Sequence, residues 1–158
     1  MKSTKLEITV YEADNINELA AEDAALLRKA LEATRCSYAP YSRFNVGAAV
    51  LLENGEIVCG SNQENAAYPS GLCAERVALF YANSHFPEVP IRAIAIASAV
   101  SGVKNDQPVY PCGACRQVLI ECETRYGKPV RVIMGGAKKI QLLNSSRDLL
   151  PLNFVLKK

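Results

Sequence analysis

No apolar run in this 158-residue sequence reaches the ~18 residues that a membrane helix needs. Nor do the opening residues, Met1-Lys2-Ser3-Thr4-Lys5, lead into a signal-like apolar stretch. The expected setting is the cytoplasm, with no membrane partner. Net charge is only +2, too little for a dedicated nucleic-acid binder. Residues 104–158 do hold 10 basic side chains against 4 acidic ones. These are scattered singly, as on a solvated face. Internal repeats, low-complexity segments and Pro/Gly/Ser-rich linkers are also missing. What remains is the length of one ordinary domain, 1–158, with residues 1–16 as an irregular N-terminal extension. Histidine is nearly absent, and the one present, His85, reads as a surface or packing residue.

What is present is the balance of a folded globular chain, 49% hydrophobic and 22% charged. A helical apolar face (Leu19, Leu26, Leu27, Ala30, Leu31) predicts a first helix over about 17–35. Residues 44–52 form a nearly continuous apolar run, which suits a strand buried on both faces. Asn54-Gly55 then signals a hairpin into a second strand over 56–61. A helix over 73–84, a strand over 91–99, a helix over 112–126 and strands over 130–134 and 140–143 follow. The last two strands are separated by residues 135–139 only, too few for a crossover helix, so they should pair antiparallel. A short helix over 146–150 ends at Pro151. The expectation is an α/β fold with three layers, α/β/α, around one mixed five-stranded sheet.

Six cysteines stand at 36, 59, 73, 112, 115 and 122. Without a secretory signal, and in a chain too large to need staples, reduced thiols or metal ligands are expected before disulfides. Cys73-Ala74-Glu75-Arg76 and Pro111-Cys112-Gly113-Ala114-Cys115 each open a predicted helix. Cys112 and Cys115, three apart on a first helical turn, can reach one metal together, and Cys73 supplies a third sulfur. Zinc favours thiolates, and a catalytic zinc keeps three protein ligands with its fourth position for water. Helix N-termini carry a partial positive charge that lowers thiol pKa values. Three thiolates and Zn²⁺ sum to one net negative charge, which Arg76, within a turn of Cys73, can offset. Glu75, beside a ligand but not itself one, is placed as a proton shuttle. A redox pair formed by the C-x-x-C alone explains neither Cys73 nor Glu75. A structural zinc site would want a fourth ligand, and none has suitable spacing. Cys36, Cys59 and Cys122 read as small buried hydrophobes.

A Cys two residues before Glu, followed later by P-C-x-x-C, is the three-cysteine form of the zinc-deaminase signature. The runs Tyr41-Ser42-Arg43-Phe44-Asn45-Val46-Gly47-Ala48-Ala49 and Asn62-Gln63-Glu64-Asn65-Ala66-Ala67-Tyr68-Pro69-Ser70-Gly71-Leu72-Cys73-Ala74-Glu75-Arg76 closely resemble the small homotetrameric cytidine deaminases. So do Pro111-Cys112-Gly113-Ala114-Cys115-Arg116-Gln117 and Leu149-Leu150-Pro151-Leu152-Asn153-Phe154. The resemblance spans roughly residues 20–154. It implies hydrolytic deamination of free cytidine and deoxycytidine to uridine and deoxyuridine plus ammonia, in pyrimidine salvage. It implies one zinc per chain on Cys73, Cys112 and Cys115, with Glu75 as the shuttle and Arg76 hydrogen-bonding the thiolates. By the same resemblance Asn62 and Glu64 grip the ribose, Phe44 walls the pyrimidine and the Ala74 backbone contacts the base edge. Phe154 would close over the site of a neighbouring subunit, making a homotetramer with shared sites. Asn45 stands where many relatives have proline, and Gln63 where they have an apolar residue; both bear on loop rigidity and packing.

Three rival readings remain. A blasticidin-S-type aminonucleoside deaminase would be expected to lack the Asn62/Glu64 pair. A deaminase of bases within RNA or DNA should show a basic groove with interleaved aromatics. A catalytically silent nucleoside-binding zinc module would not need Glu75.

Overall fold

The computed structural model describes residues 1–156. Seven strands form one sheet, β1 (Tyr11–Ala13), β2 (Phe44–Leu52), β3 (Ile57–Ser61), β4 (Ile91–Val100), β5 (Val103–Lys104), β6 (Arg131–Gly135) and β7 (Ile140–Leu143). Three α-helices cover it, α1 (Ala21–Ala33), α2 (Ala74–His85) and α3 (Gly113–Tyr126). The spatial order is β1-β7-β6-β4-β2-β3, with β5 folded back on the end of β4. Among these seven strands only β4 and β6 pair in parallel; β6 and β7 pair antiparallel, as their short connection requires. The three-layer α/β/α architecture around a mixed sheet is the one expected, with two strands more than the five predicted.

Both additional strands are short and lack a period-2 signature. β1 is a three-residue edge strand on β7, so the N-terminal extension is irregular only in part. β5 exists because Ser101 (φ 51°) and Gly102 (φ 80°) both adopt left-handed backbone, the two-residue turn that matches strand twist. The first helix is also shorter than predicted. Asn15 accepts a hydrogen bond from the Asn17 N–H and starts a separate 3₁₀ turn, Ile16–Glu18. Leu19 and Ala20 are then extended, and α1 begins only at Ala21. Further 3₁₀ turns are Thr34–Cys36 after α1, Tyr68–Ser70 before α2, and Ser146–Leu149, which stands where a short last helix was expected.

Along β4, strand parity sorts the core by size. Val46, Val50, Leu52, Ile94, Ile96, Val132 and Met134 face α2 and α3. Ala49, Ala93, Ala95 and Ala97 face α1 on the opposite side. The alternation in IRAIAIASA thus sets large side chains beneath two helices and small ones beneath a single close-packed helix. Gly47 shows how close: a Cβ there would lie 2.7 Å from the Thr34 nitrogen.

Two of the three non-ligand cysteines depart from expectation. Cys122 is buried on α3, but Cys36 and Cys59 are exposed. Cys59 lies on edge strand β3 at the margin of the area α1 covers, and Cys36 ends the 3₁₀ turn beyond it. His85 is exposed at the end of α2 and stacks on Tyr81 with ring centroids 3.7 Å apart.

Candidate active site

Topology brings the chemical residues together. β3 and β4 are each antiparallel to β2, so they run in the same direction, and α2 and α3 leave from their carboxyl ends on one face of the sheet. Both helix N-termini therefore meet at one edge of the fold, where α/β proteins commonly place ligands. Cys73 is the N-cap residue of α2, and Cys112 that of α3. Neither cap residue has an oxygen with which to satisfy the first-turn N–H groups, so the sulfurs sit in the positive field of two helix ends.

The three sulfurs form one cluster. Cys73 Sγ lies 3.7 Å from Cys112 Sγ, Cys112 Sγ lies 3.5 Å from Cys115 Sγ, and all three are within 4.8 Å of one another. Three sulfurs at ~2.3 Å from a tetrahedral zinc would stand about 3.8 Å apart, so the donor set fits that metal. Arg76 donates through Nη2 to Cys73 Sγ at 3.7 Å, and its buried Nε has no protein partner. Contact with the Cys115 thiol, then with Arg76 and Cys112, brings the Cys73 thiol down to about 5 against the opposing effect of burial. The same contact pushes the Cys115 thiol up.

Glu75 is 4% exposed, on the first turn of α2, and burial pushes its carboxyl up. The Cys73 thiolate adds to that rise, and hydrogen bonding from the Cys115 thiol opposes it. A buried carboxyl so placed beside the sulfur cluster can take up a proton and release it again. Ala74 precedes it, fully buried, and as the first residue of α2 it has a backbone N–H with no intrahelical acceptor.

Asn62 and Glu64 reach this centre through backbone pairing. The Gln63 N–H donates to the Leu72 carbonyl at 2.9 Å and the Leu72 N–H to the Gln63 carbonyl at 3.0 Å. That bridge ties the Asn62–Glu64 segment to the residue before Cys73. The cleft beside it, about 580 Å³, is lined by Asn62, Glu64, Cys73 and Arg76 together with Tyr41 and Tyr68. Glu64 accepts from the Tyr41 N–H at 2.9 Å, from the Ser42 N–H at 3.3 Å and from the Ser42 hydroxyl. The Ser42 hydroxyl above all holds its carboxyl below the usual carboxylate range.

The remaining two residues lie elsewhere. Phe44 is partly buried against the core on the α2/α3 side and is not among the cleft walls. Phe154 is 68% exposed, its carbonyl accepting from Gln117 Nε2 at 2.9 Å, and it neither enters the chain's own cleft nor packs on its core.

Ser42 and Arg116 are functional supports that the sequence reading did not single out. Ser42 sits in a turn whose next residue, Arg43, has φ 58°, and its hydroxyl also accepts from the Phe44 N–H at 3.1 Å. Arg116 donates to the Pro111 carbonyl at 2.8 Å and to the Leu149 carbonyl at 2.9 Å, bracing the loop before Cys112 against the C-terminal segment. The only signal for Arg116 was its place directly after Cys115.

A cluster of three thiols and a buried carboxyl at two helix ends, with Cys73 lining the adjoining cleft, defines a metal-dependent hydrolytic site. Residues 20–128 match the model of the cytidine and deoxycytidylate deaminase zinc-binding region, and the chain belongs to that family. It is 46% identical over 96 residues to a cytidine deaminase of Halalkalibacterium halodurans, covering 61% of this chain and 68% of the relative. It is 45% identical over 96 residues to one from Sporosarcina psychrophila, covering 61% of this chain and 66% of that one. The fold superposes on a crystal structure of cytidine deaminase from Burkholderia pseudomallei with a TM-score of 0.70 and 37% identity, over 86% of this chain and all of that one. Cytidine deaminase from Mycobacterium tuberculosis gives 0.66 and 34%, over 84% of this chain and 96% of that chain.

Proposed function

We propose that this chain catalyses hydrolytic deamination of free cytidine and deoxycytidine, yielding uridine or deoxyuridine and ammonia, as a pyrimidine-salvage enzyme. The observation that carries the reading is one cleft lined both by Cys73 of the sulfur cluster and by the Asn62/Glu64 pair. Two chemistries are thereby joined: a centre for polarising water and a pair of groups for gripping a sugar.

Cys73, Cys112 and Cys115 would hold one zinc, which when bound supplies the Lewis acidity that lets water act as a nucleophile near neutral pH. Arg76 offsets the surplus negative charge of the three sulfurs. Glu75 takes a proton from the attacking water and delivers it to ring N3, and the water oxygen adds at C4. A second transfer through Glu75 protonates the exocyclic amine, and ammonia leaves. Glu64 and Asn62 orient the ribose, and the Ala74 N–H faces the base edge. By the family resemblance Phe44 is the resident aromatic wall, approaching from the α2/α3 face of the sheet rather than from the walls of the single-chain cleft.

The exposure of Phe154 supports its acting in a neighbouring subunit of a homotetramer, where stacking on a base is worth ~1–3 kcal/mol. Both core clusters lie against the same sheet, which supports a single deaminase domain over 1–158. No helix among the described residues is long and apolar enough to cross a membrane, in keeping with a cytoplasmic setting.

The test is an absorbance assay with cytidine beside deoxycytidine, blasticidin S and a cytosine-containing oligonucleotide. Turnover of the two nucleosides alone is expected. Turnover of blasticidin S or the oligonucleotide in their place, or none at all with zinc-loaded protein, overturns the proposal.

A further inference from the structure

Behind the nucleoside cleft, on the α1 side of the sheet, a second groove of about 450 Å³ opens between the end of α1, the start of β2 and the β4–β5 hairpin. Arg28, Arg35 and Lys104 all line it. None of the three enters an ion pair or a side-chain hydrogen bond among the described residues. The one carboxylate in the groove, Glu32, is bonded to Lys29 at 3.1 Å. Lys104 is partly buried there, and desolvation holds its ammonium below the usual lysine range.

The field at the carboxyl end of α1 accounts for Arg35, which lies in the turn just beyond it. It does not account for Arg28, more than a turn earlier, or for Lys104, which comes from a different element. Three like charges converging on one groove repel one another, and a half-desolvated ammonium adds to the cost. An anion seated among them would offset both effects. Arg28 and Arg35 are seven positions apart, about 10 Å along a helical axis. That is wide for a single phosphate group but suits two or three linked ones, each guanidinium donating to a pair of oxygens. Asn45 lines the same groove, and its amide makes no hydrogen bond among the described residues, so it can donate to a further oxygen.

We propose that this groove binds a condensed-phosphate anion, either pyrophosphate or the polyphosphate tail of a nucleotide, through Arg28, Arg35, Lys104 and Asn45.

Calorimetric titration of the full-length zinc-loaded protein tests it, with pyrophosphate, inorganic phosphate, ATP and a single-stranded DNA oligonucleotide as probes. Pyrophosphate is expected to bind at one site per chain, at least tenfold more tightly than inorganic phosphate and unaffected by saturating cytidine. ATP binding as tightly as pyrophosphate assigns the site to the phosphates alone. ATP binding more tightly assigns it to a nucleotide, and either result upholds the proposal. Lys104→Gln and the Arg28→Gln/Arg35→Gln pair should each weaken binding at least tenfold, whereas Lys128→Gln, far from the groove, should not. Circular dichroism identical to that of the parent confirms that each variant is folded. The proposal fails if pyrophosphate does not bind, if cytidine displaces it, or if these substitutions leave its affinity unchanged. It also fails if the oligonucleotide binds the same cations more tightly than pyrophosphate, which would make the groove part of a polynucleotide surface.

Discussion

Asn62 holds the strand at Phe44: its Nδ2 donates to the Phe44 carbonyl at 2.9 Å, and its Oδ1 accepts from the next residue but one, the Val46 N–H, at 2.8 Å. The Ser37 hydroxyl donates to the same Oδ1. One amide therefore serves as an edge partner for the start of β2 while its second N–H remains for the cleft. Asn62→Ala should act on both levels. Loss of the clamp leaves backbone groups unpaired, at about 1–3 kcal/mol, so the melting temperature falls. KM for cytidine should rise and kcat should fall with it, because contacts remote from the reacting carbon can position it. Steady-state kinetics with a thermal melt separate the two effects. An unchanged melt would contradict the clamp, and unchanged kinetics would contradict the sugar contact.

Glu75→Gln should keep the fold and the zinc yet lose nearly all turnover. The amide matches the carboxyl in shape but relays no proton. Two transfers depend on this group, so the loss should exceed the ~10²–10⁴-fold typical of one acid–base residue. Metal analysis beside the cytidine assay checks this, and substantial activity in zinc-replete protein rules the shuttle out.

Ser42→Ala should shift the acid limb of kcat/KM upward in pH. The Ser42 hydroxyl is the largest influence holding the Glu64 carboxyl low. The native side chain therefore keeps its charge to lower pH than it would without that hydroxyl. Without the hydroxyl, protonation begins at higher pH and ribose binding weakens earlier. A pH profile of kcat/KM with an unmoved acid limb would sever the link between Ser42 and Glu64.

Gly60→Ala should loosen the metal centre without touching a ligand. A Cβ at Gly60 would stand 2.6 Å from the Ala78 nitrogen and 2.7 Å from the Ala74 carbonyl oxygen, so the first turns of α2 must move. Overpacking of this kind costs about 1–3 kcal/mol. Cys73 caps that helix and moves with it, so zinc should be lost faster to a chelator. Wild-type chelation kinetics would show that α2 adapts elsewhere.

Removal of residues 152–158 should leave zinc content near normal and cut kcat/KM strongly, since Phe154 serves no site of its own chain. Mixing that truncated chain with full-length Glu75→Gln chains should restore partial activity, because each defect then lies on a different side of a shared site. A dead mixture, shown by native mass spectrometry to contain both chains, refutes sharing.

Much of the molecule was legible before any coordinates. The positions of β2, β3, β4, β6 and β7 followed from apolar runs, and the antiparallel last pair followed from a loop too short for a helix. The sulfur cluster and Glu75 were legible because zinc chemistry constrains residue type and helical spacing together. What the chain alone settled was therefore local: periodicity, a hairpin turn, and which side chains can share a metal when they lie three positions apart. The tertiary structure alone decided what depends on distant segments. β1 and β5 are too short to carry a period and exist only through partners at β7 and β4. The union of Cys73 with Cys112 required two helices to leave parallel strands at the same edge. The turn-type residues Ser42 and Gln63 became supports of the cleft only when the chain brought Glu64 and Leu72 to them. Cys36 and Cys59 are exposed, one in the turn beyond α1 and one on edge strand β3, placements that no count of cysteines contains. Phe154, finally, has no place in its own chain's cleft or core, and that outward position follows from where the C-terminal segment lies against α3.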